Sequence, residues 1–83
     1  MIYKLQITRR AEKELSEIAK KDAANIHSAI MDLRNNLTGD VKKLVSHIPE
    51  YRLRVGPWRV LFDLEYDTIV VARILNRKNA YRN

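Results

Sequence analysis

The spacing of apolar residues changes once along this chain, and that change limits the possible folds more than any other feature. Between residues 9 and 37 apolar side chains recur every three or four positions. From residue 51 onward they recur at every second position. The first spacing belongs to helices with one apolar face and the second to strands with one buried face. Helices grouped before strands, rather than interleaved with them, point to the α+β class.

The individual elements follow from the same periods. Residues 2–8 read as a short strand, with Tyr3, Leu5 and Ile7 alternating with Lys4, Gln6 and Thr8. Thr8 is a suitable N-cap for a first helix whose apolar face is Ala11, Leu15, Ile18 and Ala19. Asp22 can cap a second helix carrying Ala23, Ile26, Ala29, Ile30, Leu33 and Leu37, with Gly39 at the expected stop. The linker of about two residues predicts an antiparallel helix hairpin. Residues 40–49 show no period and end at Pro49. Three strands then follow as a meander, and a polar tail, 76–83, is expected to be weakly held. The expected architecture is β-α-α-β-β-β, with the helix hairpin packed on one face of a mainly antiparallel sheet. Residues 1–83 are expected to form a single domain, because this length supports one core.

The free face of that sheet collects arginines. Gly56-Pro57 suits a two-residue type II′ turn, which pairs Val55 with Trp58 and sets Arg54 opposite Arg59, with Arg52 one diagonal step away. Like charges facing across strands are destabilising by a few tenths to about 1 kcal/mol. Such a pairing makes sense as an anion site. An odd-numbered second turn, Glu65-Tyr66-Asp67, would bury Val70, Ala72 and Ile74 under the helices and bring Arg73 and Arg77 to the face of Arg59. For any one arginine a solvated surface position is the simpler explanation; for four or five on one face, an anion site is.

Charge points the same way. Sixteen Lys and Arg against ten Asp and Glu give a net charge of +6, a field that favours polyanions, nucleic acid first. The basic residues of 1–49 are mostly Lys. Those of 50–83 are Arg52, Arg54, Arg59, Arg73, Arg77 and Arg82, with only Lys78 besides. Arg grips phosphate through two parallel hydrogen bonds, whereas Lys acts as a point charge. The absence of cysteine excludes disulfides and thiolate metal sites. Two distant histidines, His27 and His47, do not make a zinc site and are expected to be structural or solvent-exposed. Trp58 and Phe62 are expected in the core. No apolar run approaches the roughly 20 residues of a membrane span, and no signal-peptide core is present. A cytoplasmic protein is expected.

Residues 51–62, Tyr-Arg-Leu-Arg-Val-Gly-Pro-Trp-Arg-Val-Leu-Phe, resemble the central hairpin of the RelE/ParE toxin superfamily, and Val70 to Tyr81 resembles its final segment. The order of elements is similar along nearly the whole chain. The resemblance implies a RelE-like, microbial-RNase-like fold. It also implies a type II toxin with a cognate RelB-like antitoxin in a heteromeric complex. The RelE branch cleaves mRNA in the A site of the small ribosomal subunit; the ParE branch inhibits DNA gyrase. The RelE pattern carries over onto Arg52, Arg54, Arg59, Arg77 and Tyr81. Asn76 stands where many relatives have His, so a histidine acid is not expected.

These residues imply a reaction with no cofactor or metal. The RNA 2′-hydroxyl attacks the adjacent phosphate. Arg59 and Arg77 hold the phosphate and the charge that develops on it, and Tyr81 serves as general base, its phenol acidified by nearby cations. Arg52 and Arg54 bind the backbone and offset charge on the leaving oxygen, with Arg73, Lys78 and Arg82 as further substrate contacts. The Arg77…Tyr81 pair favours this reading over a gyrase inhibitor. A sheet without exposed aromatic pairs disfavours a purely RNA-binding module. An inactive homologue stays open.

Overall fold

The computed structural model describes residues 1–80. Five strands form one sheet: β1 (Lys4–Ile7), β2 (Asp40–Lys43), β3 (Tyr51–Val55), β4 (Trp58–Glu65) and β5 (Thr68–Asn76). Their spatial order is β1-β5-β4-β3-β2, with β1 parallel to β5 and every other pairing antiparallel. Two helices, α1 (Arg9–Ser16) and α2 (Lys20–Leu33), pack on one face. The α+β class, with two helices packed on a mainly antiparallel sheet, is as the sequence predicts; the element order gains one strand, β2.

The core lies between helices and sheet. Ala11, Ile26, Ile30 and Leu33 meet Leu53, Val60, Phe62, Ile69, Val71 and Ile74, all buried. Each large aliphatic or aromatic side chain buried there contributes about 1.5–3 kcal/mol. Tyr51 stacks on its cross-strand partner Phe62 at 5.4 Å between ring centroids. Trp58 is half-buried against this core, as expected of it.

Local details depart from the sequence reading in four places. First, Asp22 does not cap α2. The helix starts at Lys20 after Ala19, and Asp22 sits in its first turn, where a carboxylate complements the helix dipole. Second, α2 ends at Leu33 rather than near Gly39, because Asn36 (φ 57°) and Leu37 (φ 56°) turn left-handed. Third, Asp40–Lys43 is a strand, β2, paired with β3. Gly39 (φ 132°) makes room for it: a Cβ there would lie 2.8 Å from Leu53 Cδ1.

The fourth difference is the second hairpin. Its turn is the two-residue Tyr66-Asp67, with Glu65 paired to Thr68. Ile69 and Val71 are therefore buried, instead of Val70 and Ala72. Leu61 then pairs with Arg73 while Phe62 pairs with Val71, leaving Ala72 as a bulge. The extra residue reverses the alternation. Beyond it Ile74 is buried and Arg73 shares a face with Arg59, as expected but by a different route. Thr8 pins the bulge: its amide donates to Val71 O (3.0 Å), and its hydroxyl donates to Ala72 O (3.1 Å) and accepts from the Ala11 amide (3.2 Å) as the α1 cap.

Helix α1 also closes the outer side of β5. The β1 pairing stops at Val71, so later residues have no strand on that side. Glu14 takes over, accepting from the Ile74 amide at 2.9 Å.

Candidate nucleic-acid interface

The sheet face opposite the helices carries the charged side chains, because alternation along each strand sends the partners of the buried residues outward. Two rows cross it. One runs Lys42, Arg52, Leu61, Arg73; the other runs Asp40, Arg54, Arg59, Leu75. Val55 pairs with Trp58 and Arg54 with Arg59 across the Gly56-Pro57 turn, and Gly56 has the positive φ (57°) that this turn requires.

Two of the three central guanidinium groups are held by acceptors. Arg52 donates to the Asp40 carbonyl (2.8 Å) and carboxylate (3.1 Å). Arg59 donates to the carbonyls of Gly56 (2.8 Å) and Trp58 (2.9 Å), which lock its side chain while no carboxylate among the described residues pairs with its charge. Arg54 is exposed and makes no hydrogen bond or ion pair among the described residues. Asp40 stands opposite Arg54 in register, yet its carboxylate engages Arg52. Among the described residues no carboxylate is clamped between Arg54 and Arg59. Their mutual repulsion is left for an outside anion to relieve.

These three arginines line a cleft of about 410 Å³ with Lys42, Leu44, Val45 and His47. Lys42 and His47 were not among the candidate residues read from the sequence. Lys42 was hidden with its strand. His47 lies on the 44–50 loop, which has no period to read, and its Nδ1 is 2.8 Å from Pro49 O. His27, by contrast, is exposed on α2, as expected.

The other sequence candidates are placed as follows. Arg73 shares the face but is committed elsewhere: its Nε and Nη2 donate to Glu14 at 2.9 and 2.8 Å. Its charge is therefore largely neutralised within the fold. Arg77 follows β5, and its amide donates to Pro57 O at 2.8 Å, which sets it beside the Arg54–Arg59 turn. Its side chain has no partner among the described residues. The Lys78 amide donates to the Asn76 side chain at 3.2 Å, and its own side chain is exposed. Tyr81 and Arg82 lie outside the described residues. The tail as far as residue 80 is not weakly held: Ala80 is buried, lining a second hollow on this face with Leu61, Leu75 and the 47–49 loop. Among the described residues no three His, Asp or Glu side chains cluster as metal ligands, and no helix is long and apolar enough to cross a membrane.

Comparison with known proteins agrees with this geometry. A family model described as the ParE toxin of the type II toxin–antitoxin system, parDE, matches residues 5–81. Toxin RelE3 of Methanocaldococcus jannaschii is 40% identical over 47 residues, covering 57% of this chain and 53% of its own, so the chain spans about half the length of that relative. Putative toxin RelE1 of the same organism is 27% identical over 100% of this chain and 99% of its own. The toxin–antitoxin complex RelB–RelE from Methanococcus jannaschii contains a chain that superimposes with a TM-score of 0.76 at 29% identity, covering 92% of this chain and 94% of that one. With the family match extending over nearly all of its length, the chain belongs to the RelE/ParE superfamily of type II toxins.

Proposed function

We propose that this protein is a ribosome-dependent mRNA endoribonuclease of the RelE branch, cutting in the A site and held in check by a RelB-like antitoxin. The observation that carries the reading is Arg54 facing Arg59 in an open cleft, with no carboxylate between them among the described residues. Such a cleft attracts a phosphodiester and strengthens its hold as negative charge builds during displacement. The RNA supplies the nucleophile, its 2′-hydroxyl. Arg59, with its side chain fixed by two carbonyls, and Arg77, beside the same turn, hold the phosphate. Arg52 and Arg54 bind the flanking backbone, Lys78 and Arg82 add charge at the tail, and Tyr81 takes the 2′ proton. Arg73, paired with Glu14, supports the sheet more than it supplies free charge.

In vitro translation followed by primer extension on the message tests this. Cuts that require ribosomes and fall in the A site are the expected result; an intact message at a toxin dose that stops translation refutes it. A second reading, a DNA gyrase inhibitor, is favoured by the match to the ParE family model. It predicts inhibition of gyrase supercoiling by the purified protein with no cut in any message.

A further inference from the structure

His47 lines the cleft, and the proposed reaction gives it no role. The loop between β2 and β3 folds back so that His47 lines the cleft beside Lys42, Arg52, Arg54 and Arg59. Lysine and arginine side chains are poor proton donors as a class. Arg52 and Arg54 can offset charge on the departing 5′-oxygen but cannot readily give it a proton. An imidazole gains and loses a proton near neutrality.

The surroundings of His47 fit a donor. Its Nδ1 is 2.8 Å from the Pro49 carbonyl oxygen, which can only accept, so Nδ1 carries a proton in either charge state. The proton that the ring exchanges is therefore on Nε2. A hydrogen bond to that carbonyl strengthens when the ring is charged. The adjoining hollows that His47 also lines carry the carboxylates of Asp63 and Glu50 and the cations Arg10, Lys43 and Arg73. The bound phosphodiester adds further negative charge on the cleft side.

Resting on the endoribonuclease reading, we propose that His47 is the general acid of this site. Tyr81 removes the 2′-hydroxyl proton, and the bond from O2′ to phosphorus forms. The bond from phosphorus to O5′ breaks, and the Nε2 proton of His47 passes to O5′. The products are a 2′,3′-cyclic phosphate and a 5′-hydroxyl end. Tyr81 then gives one proton to water and His47 takes one back, so the cycle balances.

The test uses ribosome-bound messages with the mapped scissile linkage in two forms, natural or with sulfur replacing the bridging 5′-oxygen. A thiolate leaves without needing a proton. His47→Asn and His47→Gln should cut the natural message about a hundredfold or more slower than wild type, within the usual range for lost general acid catalysis. Both should cut the sulfur-bridged message at nearly the wild-type rate. The ratio of the two rates within one preparation does not depend on how much of a variant folds. For wild type, the dependence of rate on pH should differ between the two messages, and that difference should vanish in the variants. Equal losses on both messages, or no loss on the natural one, overturn the role of His47. Failure of the wild type to cut either message overturns the endoribonuclease reading itself.

Discussion

The Glu14 clamp offers the sharpest test of how this sheet is held. One carboxylate accepts from Arg73 Nε and Nη2 at 2.9 and 2.8 Å and from the Ile74 amide at 2.9 Å. The side chains of Arg73 and Glu14 are 27% and 17% exposed, which sets the magnitude. A fully exposed ion pair contributes about 0–1 kcal/mol. Breaking a fully buried one costs about 3–5 kcal/mol. For this partly buried arrangement of three donors on one carboxylate Glu14→Ala should cost about 2–3 kcal/mol. Urea denaturation measures that directly. The melting temperature should fall by about 10–20 °C, at 4–8 °C per kcal/mol for a chain of this size. Glu14→Gln keeps an acceptor for the Ile74 amide and should cost about half as much. In an Arg73→Met background the Glu14→Ala penalty should shrink by about 1 kcal/mol or more, the coupling expected of contacting residues. A penalty below about 0.5 kcal/mol, or strict additivity with Arg73→Met, would refute the clamp.

Other expectations concern the core and the cleft. Phe62→Ala should destabilise the fold by about 3–5 kcal/mol in the same urea assay, since the ring is fully buried. Arg59→Ala and Arg77→Ala should each slow message cleavage by about 10²–10³ with the circular dichroism spectrum unchanged. Tyr81→Phe should slow single-turnover cleavage; a wild-type rate would remove Tyr81 from the mechanism. Arg54→Ala should weaken binding to a noncleavable RNA and reduce the slope of log affinity against log salt by about one contact. An unchanged slope would mean that Arg54 meets no phosphate.

The parts of the fold legible in the sequence are those where local chemistry decides. Gly56-Pro57 fixes a two-residue turn, and the turn fixes the register that sets Arg54 against Arg59. The helices announce themselves through Ala11, Ile26, Ile30 and Leu33. What was hidden depends on partners distant in the chain. β2 is an edge strand with only Val41 turned to the core, too little alternation to detect. The Ala72 bulge is held by Thr8, more than sixty residues away. The Glu14 contact likewise joins residues that no local pattern connects. His47 lines the cleft only because an aperiodic loop returns across the sheet.

The parallel pairing of β1 with β5 has a consequence for how the protein is made. Lys4 waits for Thr68, and Leu5 for Ile69. The first strand to leave a ribosome thus finds its neighbour only when the last of the five has followed it. Until then the β3–β4 hairpin can form, but β4 has a bare edge, and the core lacks Ile69, Val71 and Ile74. Pairings of such long sequence separation are slow to close. Arg77 reaches the Pro57 carbonyl only once β5 has paired with β4. The cationic face is therefore complete only once β5, the last of the five strands in the sequence, has joined the sheet.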